Sequence, residues 1–300
     1  MTRENKCLVC SSSDTAFRVS CKDHLTGGET FDIYTCRKCG FTFTADPPPE
    51  TDIERYYNAG EYISHSNTKK GLTNRLYHLT RKLMLIRKRN IIRKATGMNR
   101  GTLLDIGCGT GYFAAFMRDN GWKVSGIEVN EKARNFAIDN FSLEVVHDPD
   151  LSSFEKGYFD CITLWHAFEH FHDPLKYIVS VKRLLKPGGR CIIAMPNCNS
   201  FDAGYFGSSW AAWDVPRHLW HFNPDTFRIF SEKNGFKVSS VISLPADVFY
   251  ISILSERYRG TNLPLITGLI KGSWFAMLSL FNKERSSSVV YIVELAPACP

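Results

Sequence analysis

Three groups of side chains carry chemistry in this sequence. The first is a pair of C-x-x-C knuckles, Cys7 with Cys10 and Cys36 with Cys39, separated by 25 residues. Each pair can bite one metal ion, and four thiolates are the donor set of a tetrahedral zinc site. A redox-active C-x-x-C pair opens a helix in a βαβ unit, and neither pair here does, so structural zinc is the expectation. The second group is Asp105, Gly107, Gly109, Gly111 and Glu128. Glycines let backbone approach a ligand and expose N–H groups at a helix start. A dinucleotide fingerprint needs its third glycine where this chain has Tyr112. Asp105 would repel a pyrophosphate but can accept from an ammonium group, and Glu128 can bond a ribose diol. The pattern suits a nucleoside with a zwitterionic amino-acid tail. The third group is histidine-rich: His166, Glu169 and His170 in WHAFEH, and Arg217, His218 and His221 in PRHLWHF. His218, His221 or His170 can serve as a general base, and each can equally be a histidine hydrogen-bonded within a packed segment.

These residues need elements to position them. The apolar run Thr102 to Ile106 reads as a strand, Tyr112 to Asn120 as a helix stopped by Gly121, and Lys123 to Ile127 as the next strand. This is half of a doubly wound α/β sheet, with the glycine turn and Glu128 at the carboxyl ends of its strands. Further on, Glu131 to Asn140 reads as helix. Strands are expected at Leu143 to Val146, Phe159 to Leu164 and Arg190 to Met195, with a helix capped by Asp173-Pro174 running to Leu185. Asn223-Pro224 begins another helix, and Phe236 to Leu244 and Ser287 to Leu295 read as the last strands. Phe17 to Ser20 and Phe31 to Thr35 read as hairpin strands between the knuckles, and Cys21 as a packing residue.

The motif DIGCGTG (Asp105 to Gly111), the acidic Glu128 ending the next strand, and LLKPGG (Leu184 to Gly189) resemble the class I S-adenosylmethionine-dependent methyltransferases. The resemblance spans roughly residues 95–245. It implies a seven-stranded, mostly parallel, doubly wound sheet whose last two strands are antiparallel. It implies S-adenosyl-L-methionine held by Asp105, Gly107, Gly109, Gly111 and Glu128, with Asp148, or the neighbouring Asp150, against the adenine amino group. The sulfonium methyl would pass in line to an acceptor oxygen, nitrogen or carbon of a small molecule, lipid-linked or a sugar intermediate. Some relatives, quinone-pathway O-methyltransferases and small-RNA 2′-O-methyltransferases, carry Glu-x-x-Glu-His and bind a divalent cation. Here His166 replaces the first glutamate, so Glu169 either simply supports its loop or joins His166 and His170 in an altered version of that site. Tyr56, Tyr57, Tyr62 and His65, which precede the first strand, resemble a lid over the cofactor, with simple packing as the alternative.

Composition frames the rest. The 300 residues are 44% hydrophobic and 22% charged, with a net charge of +7, ordinary for a globular protein. The polar start MTRENKCLVC lacks a signal-peptide pattern, so a cytoplasmic protein with reduced thiols is expected. The expected organisation is a zinc-ribbon-like module at 1–45, a linker and helical cap at 46–98, and a methyltransferase domain at 99–300. Within the last lie an aromatic acceptor loop at 197–222 and an apolar insertion at 247–285. A ribbon this small builds little core, so zinc would supply its folding energy. Lys69 to Arg100 holds eleven Lys or Arg and no acid, with Leu72, Leu76, Leu79, Leu83 and Ile86 at helical spacing. Its basic face is either solvated or turned to an anionic partner: lipid, an acidic substrate or RNA. Leu263 to Phe281 is apolar, but Pro264, Gly268, Lys271 and Gly272 weaken a membrane-spanning reading and favour an interfacial hairpin or a pocket cover. Peripheral membrane contact at the inner face is therefore expected, and nucleic acid is the weaker partner. The competing function class is a methyltransferase-like binding protein that uses the ribbon and basic helix to hold RNA or a protein. Intact Asp105, glycines and Glu128 favour the enzyme.

Overall fold

The computed structural model describes residues 6–57, 72–149 and 151–297, and the side chains of residues 72–79 are left aside. Tyr62, His65 and Asp150 lie outside the described residues. In chain order, a hairpin of β1 (Thr15–Lys22) and β2 (Thr30–Cys36) is followed by the short β3 (Thr42–Thr44) and the long helix α1 (Leu72–Thr96). The alternating portion then runs β4 (Thr102–Ile106), α2 (Tyr112–Asp119), β5 (Lys123–Ile127), α3 (Glu131–Phe141), β6 (Glu144–Val146), β7 (Phe159–Trp165), α4 (Pro174–Leu184) and β8 (Leu185–Pro196). Next come α5 (Phe201–Phe206), β9 (Trp220–His221), α6 (Pro224–Lys233), β10 (Phe236–Ser243), α7 (Asp247–Tyr258), α8 (Pro264–Phe281) and β11 (Ser288–Leu295).

The large sheet has the order β10-β11-β8-β7-β4-β5-β6. Its β8-β7-β4-β5-β6 portion is parallel, and β11 lies antiparallel to both β8 and β10. The seven-stranded sheet and its antiparallel pair are thus as expected. From β4 the chain winds first towards β5 and β6, then returns to β7 on the other side. The crevice at such a reversal, outside the strand carboxyl ends, is where ligands bind in open α/β sheets. Strand periodicity fills both faces. Leu104, Ile106, Ile162, Leu164 and Ile193 pack on one side. Leu103, Cys161, Ile192 and Val290 pack on the other, with Ile91, Ile92 and Met117 from the helices. Helix starts follow capping chemistry: Asn130, Asp173 and Asn223 each accept from a backbone N–H in the first turn, and Pro174 and Pro224 occupy the first helical position.

Three expectations change. Residues 197–222 are not a loop. Ser200 caps α5, two 3-10 turns follow at Gly207–Ser209 and Ala211–Trp213, and β9 pairs with β3. The aromatics are there to fill a core: Phe206, Trp210 and Trp213 are buried with Cys21 and Ile33 of the amino-terminal hairpin and Val248 and Ile251 of α7. Second, β9 completes a four-stranded sheet, β1-β2-β3-β9, so the cysteine-bearing module shares a sheet with the acceptor segment. Third, of the leucine stripe expected on α1 only Leu83 and Ile86 have described side chains, Leu72, Leu76 and Leu79 lying outside them, and neither is buried. Leu83 is exposed, while Ile91 and Ile92 are the buried anchors. Its cations are not all solvated either, since Arg87 donates to the Ser243 carbonyl and Arg81 stacks on Tyr112. The apolar insertion is the helical hairpin α7–α8.

Candidate functional site

At the carboxyl end of β4 the chain turns sharply. Gly107, Gly109 and Gly111 all have left-handed φ values, 72°, 55° and 78°. A side chain at Gly107 would meet Ala167 at 2.7 Å, and one at Gly111 would meet Ala137 and Leu143 at 2.7 Å. Those two glycines permit tight packing, whereas Gly109 faces open space. That is the position at which a ligand can lie against backbone. Glu128, at the end of β5, is fixed by two backbone donors: Gly109 N–H to Oε2 and Asn130 N–H to Oε1, both 2.8 Å. Each oxygen keeps a second lone pair for a hydroxyl. Asp105 is 2% exposed and accepts from the Thr163 hydroxyl at 2.7 Å. Burial pushes its carboxyl up to about 7, against the Thr163 hydrogen bond and the nearby Lys88 charge. Asp148 is also buried, but it accepts from Ser153 N–H at 2.8 Å and Ser153 Oγ at 2.6 Å, a clamp on its own loop.

Lys88 is a functional candidate that sequence reasoning missed. It comes from the basic helix α1, and its ammonium lies over Trp165 at 4.4 Å and Phe113 at 5.3 Å. Burial lowers its pKa, while Asp105 and Asp247 draw the charge towards the crevice. Nothing in the sequence separates it from the ten other cations of that stretch.

The second cluster lies past the end of β7. His166 has φ 55°, rare for a non-glycine residue. Its Nε2 lies 3.2 Å from Asp247 Oδ2 and its Nδ1 3.6 Å from Glu169 Oε1. Burial opposes its charge, but the two carboxylates outweigh that and raise it to about 9, so it is an imidazolium at neutral pH. Glu169 is 1% exposed, and neither of its oxygens has a hydrogen bond among the described residues. Burial pushes its carboxyl up, yet His166 and the other histidines hold it below the usual range. His170 goes the other way: burial, then His218, lowers it to about 4. Its Nδ1 lies 2.9 Å from the Tyr57 hydroxyl and 3.1 Å from the Arg217 carbonyl. A carbonyl only accepts, so Nδ1 carries the proton in the neutral ring and Nε2 is the basic nitrogen.

His218 Nδ1 faces the Ala212 carbonyl at 2.9 Å, which likewise leaves Nε2 as the basic nitrogen, 3.7 Å from Asp214 Oδ2. Donor atoms of Glu169, His170 and His218 lie within 4.8 Å of one another. The sequence had grouped His166 with Glu169 and His170, whereas the fold brings in His218 as the third donor. His221 is placed differently. Thr44 Oγ1 donates to the His218 carbonyl at 2.8 Å, so His221 Nε2, at 2.9 Å, must donate to Thr44. It is 4% exposed against Trp213. That geometry gives His221 a packing role at the β3–β9 seam and takes it out of the acid–base set. The whole cluster rests on Arg217, which is 1% exposed and bonds Asp214 at 2.7 Å, Asp23 at 3.0 Å and the Tyr56 carbonyl at 3.1 Å. Asp214 and Asp247 carried no signal in the sequence, because their partners come from distant elements.

The four cysteines converge as the spacing requires. Cys7 and Cys39 sulfurs are 3.5 Å apart, as are those of Cys10 and Cys36, and all four lie within 4.8 Å of one another. Zn–S bonds of about 2.3 Å in a tetrahedron put sulfurs about 3.8 Å apart, so the donor set fits that ion.

A family model described as "Methyltransferase domain" matches residues 75–241, more than half of the chain. The ubiquinone biosynthesis O-methyltransferase of Thiobacillus denitrificans is 34% identical over 105 residues, 33% of this chain and 45% of that protein. The chain therefore spans under half the length of that curated relative. The enzyme of the same name from Pseudomonas paraeruginosa is 27% identical over 168 residues, covering 52% of this chain and 72% of the relative. Among solved structures, the geranyl diphosphate C-methyltransferase of Streptomyces coelicolor A3(2), in complex with Mg2+, geranyl diphosphate and S-adenosyl-L-homocysteine, superposes with a TM-score of 0.51. That match has 16% identity, covers 78% of this chain and 86% of the other, and shows a shared fold. With the seven-stranded sheet and the matched family model together, the chain belongs to the class I S-adenosylmethionine-dependent methyltransferases.

Proposed function

We propose that this enzyme methylates a hydroxyl of a small-molecule acceptor, with His218 as general base. The observation that carries the reading is the state of the two histidines beside the crevice. His170 is held neutral by burial, and both rings have Nδ1 committed to a carbonyl, which leaves Nε2 free to take a proton. His218 has the better surroundings for the charge it would gain. Asp214 Oδ2 is 3.7 Å from its Nε2, and Glu169 lies in the same cluster. The names of the similar ubiquinone biosynthesis O-methyltransferases point to the same acceptor atom.

Bound S-adenosylmethionine supplies an already activated sulfonium methyl, so orientation and proton removal are what the protein must add. Asp105 would accept from the cofactor ammonium, Glu128 would take the ribose diol on its free lone pairs, and Gly109 would lie against the ligand. Asp148 would meet the adenine amino group through whatever capacity its loop clamp leaves. Tyr57 would orient His170. In calorimetry, Asp105→Ala and Glu128→Ala should each weaken cofactor binding by about 1–3 kcal/mol, the range for losing a charged hydrogen bond. With a phenol or alcohol acceptor series, His218→Gln should lower kcat by roughly 10²–10⁴-fold while cofactor affinity stays as in the wild type. Unchanged kcat in that variant would refute the assignment of the base.

A second reading rests on Glu169, whose two buried oxygens have no hydrogen bond among the described residues. With the nitrogens of His170 and His218 it offers a mixed N/O donor set for a divalent cation, which would orient an acceptor oxygen. Metal analysis of Glu169→Gln against the wild type separates the two, because a purely acid–base cluster holds no second ion. For the cysteine cluster we infer a structural zinc, one per chain, which Cys36→Ser should abolish in elemental analysis.

A further inference from the structure

Helix α8 has one face that the described residues leave bare. Gly268, Gly272, Phe275 and Ser279 are buried. A Cβ at Gly268 would lie 2.5 Å from the Ile253 backbone, and one at Gly272 2.9 Å from the Phe249 ring. These small residues seat α8 against α7 along its length. On the opposite face Leu265, Ile266, Ile270, Trp274, Leu280 and Phe281 are all more than half exposed. Soluble monomers rarely leave a contiguous stripe of that kind. The polar side chains of the helix do not need water. Thr267, Ser273 and Ser279 each donate to the carbonyl four residues back, and Lys271 is tied to the buried Glu256 at 2.6 Å.

Charge selects the occupant. From Arg257 to Lys283 the chain contains no Asp or Glu. In sequence the stripe is flanked by the exposed Arg257 and Arg259 on one side and Lys283 and Arg285 on the other, with Arg259 also donating to the Tyr205 carbonyl and Arg285 to the Asn199 carbonyl. The neighbouring Glu284 is paired with Arg228. Two copies packed through this face would set cations against cations in either orientation, whereas anionic headgroups complement them. The helix has the length and hydropathy to cross a membrane, but one side is bonded to the protein along its length, so it must lie flat.

We propose that α8 is a monotopic membrane-docking helix. It beds its outer face into the headgroup–acyl boundary of an anionic bilayer, and the cations at its ends engage the headgroups. The basic helix α1, which turns Arg81, Arg87 and Lys88 inward, is not required. This inference stands apart from the acceptor chemistry.

Flotation of the full chain with vesicles of phosphatidylglycerol and phosphatidylcholine, and of phosphatidylcholine alone, tests it. The wild type should float with the anionic vesicles at low salt, less so with added salt, and at least tenfold less with neutral ones. Ile270→Glu with Trp274→Glu should reduce flotation at least tenfold, with cofactor affinity unchanged as the control for folding. Should that pair misfold, Leu280→Glu alone at the most open end gives the same reading, with a several-fold loss expected. Wild-type protein that stays off anionic vesicles overturns the proposal, as does a wild-type dimer that the same substitutions dissolve while vesicle binding is absent.

Discussion

At Asp105 burial and ligand charge act on the same carboxyl. Burial holds it at about 7 in the free protein, well above the usual carboxylate range. The cofactor ammonium favours the ionised form, so binding below that value must expel a proton. Affinity should therefore fall as pH drops below about 7, approaching tenfold per pH unit. Calorimetry between pH 5.5 and 8.5 checks this, and Asp105→Asn should bind weakly with no such slope. The motif residues were legible because their geometry is local: a strand, three glycines in a turn and an acid at the end of the next strand. Lys88, Asp214 and Asp247 were not, since each acquires its meaning from a partner far along the chain. The sequence could not choose between the two readings of His221 for the same reason. A histidine beside a tryptophan looks free until Thr44, 177 residues away, accepts a hydrogen bond from its Nε2.

At the scale of elements, His166 at the end of β7 is tied to Asp247 at the start of α7 and so couples the crevice to the insertion. Its folded pKa is raised from the ordinary value to about 9. A raised histidine contributes stability that is complete below about 6.5, where the unfolded chain is also protonated, and is lost as pH rises through 9. Part of the ring is open to solvent, which weakens the effect. Thermal melts should therefore drop between pH 7 and 10 more steeply in the wild type than in Asp247→Asn. The α7–α8 seam gives a second test. Gly272→Val would force carbon into Phe249 and should destabilise the fold by about 1–3 kcal/mol, as overpacking does. Sequence periodicity placed most strands of the large sheet to within a residue, since each is short, apolar and closed by a turn; β8 is the exception, because it begins at Leu185, where helix end and turn were expected, and not at Arg190. Periodicity could not tell a long aromatic loop from small helices, because Trp210 and Trp213 are buried by the amino-terminal hairpin and α7, not by their own neighbours.

For the molecule as a whole, the boundary expected near residue 45 does not isolate the cysteine module. β3 pairs with β9, the Thr44 N–H donates to the Leu219 carbonyl, and the Thr44 hydroxyl bonds the His218 carbonyl. Arg217 adds a buried bridge to Asp23 in the same module. The backbone that carries His218 is thus held by a sheet whose other end is the four-cysteine cluster. Asp105, the glycines and Glu128 sit on β4 and β5, outside that sheet. Loss of the zinc proposed for the cysteine cluster should consequently divide the two functions proposed for the site. Structural zinc is worth about 10–16 kcal/mol in isolated fingers, so its removal should release the small sheet. Cys36→Ser should then speed amide exchange at residues 42–44 and 218–221, lower kcat, and leave cofactor affinity close to wild type. Exchange at 218–221 that ignores the loss of metal would show that the acceptor segment stands without the module. Cofactor affinity that collapses together with kcat would show that both halves of the crevice depend on it.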